Sequence, residues 1–104
     1  MSKFLFAYRV PADYTPGSPG VTAAWRGWFE ELGRRVVDRG NPVFDRTTVG
    51  NCGADTALGG YSLVEADDLE SAVVLAEGCP GLHPHGGVEV GEITTLNREP
   101  ATEV

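Results

Sequence analysis

The chain predicts an α+β fold of order β-α-β-β-α-β, a four-stranded antiparallel sheet with two helices on one face. Three observations carry that prediction. The stretch from Gly59 to Glu92 reads as strand, helix and strand, and the residues before it follow the same plan. An alternating segment opens at Lys3, and a strongly amphipathic one opens at Val21. At 104 residues and 41 % hydrophobic content, the chain suits one soluble domain with one core.

Lys3 to Arg9 forms the first strand, with Phe4, Phe6 and Tyr8 on one face and Leu5, Ala7 and Arg9 on the other. Both faces are largely apolar, as expected of a strand covered on two sides. Val10 to Gly20 is a loop rich in proline and glycine. Ser18-Pro19 then supplies an N-cap hydroxyl and a proline at the first helical position. Val21, Trp25, Trp28, Phe29, Leu32 and Val36 follow at helical spacing within an arc of about 100°. Glu30 with Arg34 and Glu31 with Arg35 stand in the favoured order for helical ion pairs. Gly40, with Asn41-Pro42 beyond it, is expected to end this helix. The indole rings belong to its apolar stripe and are read as core.

Val43 to Val49 reads as the second strand, and the segment from Gly50 to Asp55 as a hairpin loop. The third strand runs from about Leu58 to Ala66. Asp67 is the expected N-cap of the second helix, closing a capping box with Glu70. Leu69, Ala72, Val73 and Ala76 make its buried stripe, and Gly78 and Pro80 stop it. The last strand runs from Val88 to about Thr95. The domain therefore covers 1–96, and 97–104 is a polar tail.

The order is that of a ferredoxin-like sheet. Tyr61, Leu63 and Glu65 oppose Ser62, Val64 and Ala66 across the third strand, and neither sheet face is consistently polar. The face without helices would leave several hundred Å² of apolar surface open, more than monomers usually do. A homodimer with two sheets facing one another removes it, and the resulting cleft is the default ligand site.

Eight basic residues against fifteen acids give a net charge of −7. That is poor material for a phosphate-binding face, so neither nucleic acid nor an anionic membrane is an expected partner. No apolar run approaches the roughly 20 residues of a membrane span, and the N-terminus does not read as a signal peptide. Cys52 and Cys79 are isolated in sequence, so two reduced thiols in the cytoplasm are expected. Cys79 ends a helix, where the dipole disfavours a thiolate.

The wording Gly59-Gly60-Tyr61-Ser62-Leu63-Val64-Glu65-Ala66-Asp67-Asp68-Leu69, then Ala76-Glu77-Gly78-Cys79-Pro80, then Gly87-Val88-Glu89-Val90, resembles the YCII-related family of small proteins. Ser18-Pro19 and Trp25 fit that family's first helix. The resemblance spans Phe4 to about Leu96 and implies a dimeric α+β barrel. Some members are similar to small lactone isomerases or dehalogenases, for which a His–Asp pair is proposed. This chain places no histidine on its first strand or first helix, and Gly91-Glu92 stands where many members have Arg-Pro.

His83 and His85 flank one proline and would point the same way from an extended segment. Two imidazoles are too few for a metal site, and a solvated loop is the simpler account. Arg9 ends the first strand, where it would face Glu89 on the fourth; it either pairs with that glutamate or binds a carboxylate-bearing ligand. Asp13 and Tyr14 lie on the loop beyond and could close over a cleft. Ligand contacts are thus assigned to Arg9, Tyr14 and Glu89. His83, His85, Asp13 and Glu89 are the candidate acid–base groups. No metal and no cofactor is expected. The leading expectation is a homodimeric binding or accessory module for a small aromatic or carboxylate-bearing molecule. A cofactor-free isomerase, lyase or dehalogenase-like enzyme is the alternative.

Overall fold

The structure is a computed structural model that describes residues 1–12, 19–82 and 86–96. It is an α+β fold with a four-stranded antiparallel sheet and two helices, an arrangement compatible with the ferredoxin-like class. The strands are β1 (Ser2–Pro11), β2 (Val36–Asp38), β3 (Thr56–Ala66) and β4 (Gly87–Glu92), in the order β2-β3-β1-β4. The helices are α1 (Pro19–Leu32) and α2 (Leu69–Ala76). No helix among the described residues is long and apolar enough to cross a membrane.

The central strand β1 sets the two faces. Phe4, Phe6 and Tyr8 are buried and stand opposite Val64, Ser62 and Gly60 of β3, with Val90 and Val88 beside them on β4. Both helices cover this face: Trp28 and Leu32 of α1 and Ala72 and Ala76 of α2 belong to the same core. Trp28 lies 6.2 Å from Phe6, ring to ring, and its indole N–H donates to the Leu75 carbonyl of α2 at 3.3 Å. The other face carries Leu5, Ala7, Tyr61, Leu63 and Glu65, and Leu5 is 38 % exposed in the isolated chain.

Five expectations need correction. The first helix ends at Leu32, because Gly33 takes a left-handed φ of 57° and a short 3-10 turn, Gly33–Arg35, follows. Val36 is therefore strand, and Arg34 and Arg35 fall outside the helix that would have aligned them with Glu30 and Glu31.

The second strand is Val36–Asp38 rather than Val43 to Val49. The β-branched pair Val36-Val37 arrives at the β3 edge as soon as the turn ends, and Val36 pairs with Val64. Gly40, at φ 72°, bends the chain, which then touches β3 again through a Tyr61 N–H to Asn41 carbonyl bond of 3.3 Å, the Pro42–Gly60 bridge and a Val43 N–H to Gly59 carbonyl bond of 3.1 Å. From Phe44 to Asp55 it forms no strand.

The cap of α2 is Asp68, not Asp67. Asp68 is extended (φ −157°, ψ 177°), and its carboxylate accepts the Ser71 N–H at 2.8 Å. That bond holds the Asp68 carboxyl below its usual range. Strand β3 persists through Ala66, so Asp67 is spent on the bend and the cap falls one residue later.

The buried stripe of α2 is narrower than expected. Ala72 and Ala76 are buried, whereas Leu69 and Val73 are 48 % and 40 % exposed. The strand β4 also stops at Glu92, before the expected Thr95.

Candidate functional site

A cavity of about 430 Å³ opens at one end of the helix-covered face. Its floor is Tyr8 and Val10 of β1 with Gly59, Gly60 and Tyr61 of β3; one wall is Val21, Thr22, Trp25 and Phe29 of α1. The facing wall is the segment that follows β2: Arg39, Gly40, Asn41, Pro42 and Phe44. The size is that of ordinary small-molecule sites.

Helical spacing explains one wall. Val21, Trp25 and Phe29 recur every four residues, so they share one line along α1. Trp25 packs edge-on to Tyr8, with ring centroids 4.8 Å apart, and its ring is 6.0 Å from that of Phe29. Aromatic rings that brace one another this way keep a cavity open by holding fixed rotamers.

A buried hydrogen-bond chain fixes the other wall. The Tyr8 hydroxyl donates to Ser62 Oγ at 2.8 Å, and Ser62 Oγ donates to the Arg39 carbonyl at 2.6 Å. Ser62 is fully buried, and its bond with Tyr8 runs in a low-dielectric setting. The Tyr61 N–H adds a 3.3 Å bond to the Asn41 carbonyl. Gly40 lies flat against β3: a Cβ there would overlap the Tyr61 carbonyl oxygen and come within 2.6 Å of its carbon. Segment 39–42 is thus clamped onto the sheet although little of it is strand.

The electrostatics of the cavity are one-sided. Arg39 is the charged side chain among its described lining residues, with its guanidinium carbon 5.0 Å above the Phe29 ring centre. Asn41 adds an amide, whose Nδ2 donates to the Tyr61 hydroxyl at 3.4 Å. The Tyr8 phenol is pushed well above its ordinary range by burial, so it stays neutral and serves as a donor to Ser62.

Of the residues singled out in the sequence, Asp13, Tyr14, His83 and His85 lie outside the described residues, as do the Ser18 cap and the 97–104 tail. Arg9 does not face Glu89: it pairs in register with Gly87, while Glu89 stands opposite Ala7. The Arg9 guanidinium instead donates to Thr56, through Nε to Oγ1 at 3.2 Å and through a terminal nitrogen to the carbonyl at 3.3 Å. Neither Arg9 nor Glu89 lines the cavity. Cys79 is buried and its thiol is pushed up to about 11 by desolvation, as an inert structural thiol should be. Among the described residues no cluster of three His, Cys, Asp or Glu side chains could hold a metal.

Arg39, Asn41 and Phe44 are functional candidates that the sequence pattern did not reveal. The available signal was Gly33, a helix stop that frees the following residues to reach β3. No protein-family model matches the chain, and no curated protein matches it either.

Proposed function

We propose that this chain is a homodimeric, YCII-related binding module that holds a small ring compound in the cavity beneath α1 of each protomer. The observation that carries this reading is the cavity itself: about 430 Å³, walled by Tyr8, Trp25, Phe29 and Phe44, with few polar groups. Binding sites for small molecules have this composition, an apolar lining with a few placed polar groups.

The dimer rests on the helix-free face. Leu5, Ala7, Tyr61 and Leu63 stand together there, and Ile93 beyond β4 is 40 % exposed. Pairing two such faces about a two-fold axis buries them and closes a dimeric α+β barrel. The free thiols Cys52 and Cys79 fit a reducing compartment, which makes the cytoplasm the proposed location. No described side chain in the cavity is a carboxylate, imidazole or amine, so binding is favoured over acid–base turnover.

Native mass spectrometry tests the dimer, and titration with a neutral aromatic amide, followed by NMR at the Trp25 indole N–H, tests the cavity. A dimer whose Trp25 signal moves on titration is expected. A monomer refutes the barrel, and an unmoved Trp25 signal refutes the binding site.

A further inference from the structure

We propose that the cavity selects ring compounds bearing one negative charge, a carboxylate above all, and that Arg39 is the residue that reads this charge. The proposal rests on the binding reading above and adds the ligand's sign and the side chain that recognises it.

Three observations support it. The first is an uncompensated cation. Arg39 has no carboxylate partner among the described residues; its guanidinium meets the Phe29 ring, which orients a cation without neutralising it. Asp38, its neighbour in sequence, has one carboxylate oxygen accepting the Gly40 N–H at 2.8 Å.

The second is the setting. None of the described lining residues is acidic, so a ligand anion at Arg39 meets no repulsion from those residues. An aromatic ring between Trp25 and the Phe44 side, with its carboxylate at the mouth, uses both parts of the site.

The third is preorganisation. The Arg39 carbonyl is held by Ser62, which is held by Tyr8, and Asn41 is bonded to β3. The guanidinium therefore extends from an anchored backbone, so less conformational freedom is lost when it engages an anion. A planar guanidinium also matches a carboxylate in bidentate geometry.

The test compares two probes of similar shape, 2-naphthoate and 2-naphthamide, titrated into the full chain at neutral pH and low salt. The readout is the indole N–H signal of Trp25, which lines the cavity. Trp28 is the internal reference, because it lies outside the lining and its indole N–H is bonded to Leu75. Both probes should move Trp25, and the carboxylate should bind about ten-fold tighter, the ratio one charge-assisted hydrogen bond supplies. Arg39→Gln should abolish that preference, and Arg39→Lys should restore part of it. Raising salt should erode the preference of the wild-type protein, a readout that needs no variant. Equal affinities in the wild type, a preference that survives in Arg39→Gln, or one indifferent to salt would each overturn the proposal while leaving the cavity intact. If neither probe moves Trp25, the binding reading falls with it.

Discussion

Replacing Gly40 with alanine tests the part of the fold that creates the cavity wall. Gly40 has a φ of 72°, and an added methyl would meet the Tyr61 backbone and lie 2.9 Å from Tyr61 Cδ2. The left-handed conformation alone costs an L-residue about 1–2 kcal/mol. Forcing a methyl against a backbone that is itself hydrogen-bonded adds about 1–3 kcal/mol. Together these give about 3 kcal/mol. With an unfolding entropy of about 2.1 cal/mol/K per residue, a chain of 104 residues loses about 4–5 °C of Tm per kcal/mol, so the expected drop is about 14 °C. Gly50→Ala is the matched control: its φ is 79°, and a Cβ there has open space around it. That variant bears the conformational cost alone, about 5–9 °C. Circular-dichroism melts at one protein concentration measure both, since a dimer's Tm depends on concentration. If the two variants melt within about 3 °C of one another, segment 39–42 does not lie against β3 and the cavity wall is misplaced.

Ser62→Ala should cost about 2–3 kcal/mol, because it leaves the buried Tyr8 hydroxyl without an acceptor and the Arg39 carbonyl without a donor. Adding Tyr8→Phe should recover part of that loss in urea unfolding; a further loss of the same size would show that the two hydroxyls act independently. The Cys79 thiol, raised from an ordinary 9.0 to about 11 in the folded chain, should stabilise the fold fully below pH 9 and lose that contribution as the pH rises to 11. The unfolded thiol ionises first, so the difference amounts to about 2–3 kcal/mol, and Cys79→Ala should flatten the alkaline fall in stability. Parallel slopes for wild type and variant would remove Cys79 as its source. Leu5→Glu places a charge on the helix-free sheet face, opposite Leu63, and should convert the proposed dimer into a folded monomer by light scattering. A dimer of unchanged mass and Tm would point to a different interface.

Much of the fold was legible because it rests on periodicity. Phe4, Phe6 and Tyr8 alternate as a strand requires, and all three are buried on the helix side. Trp28 and Leu32, four apart, are both 5 % exposed. The misreadings share a physical cause: local patterns overran their boundaries. Val36 continued the helical spacing and so hid Gly33, whose missing Cβ permits the left-handed stop. Val43 to Val49 carried β-branched residues, yet the nearer pair Val36-Val37 reached β3 first. The site was less legible than the fold, because its facing walls come from α1 and from residues after β2. No sequence spacing brings Phe29 to Arg39; the 3-10 turn and the β3 edge do that.

The shortness of β2 is therefore what gives this fold its cavity. A longer strand on the β3 edge would continue the ladder past Asp38 and carry the chain along the sheet. Here Gly40 bends it, Asn41 and Pro42 make one further contact with Tyr61 and Gly60, and Phe44 leaves the edge 62 % exposed. The interruption turns the segment toward α1 and leaves a gap between them, lined by the rings of both. Ser62 then plays the part that ladder bonds would otherwise play, tying the Arg39 carbonyl to the core through Tyr8. The same polar chain that compensates for the lost pairing also anchors the Arg39 backbone in the cavity wall. Fold stability and the proposed ligand selection meet in one buried hydroxyl, so Ser62→Ala should weaken 2-naphthoate binding as well as the fold.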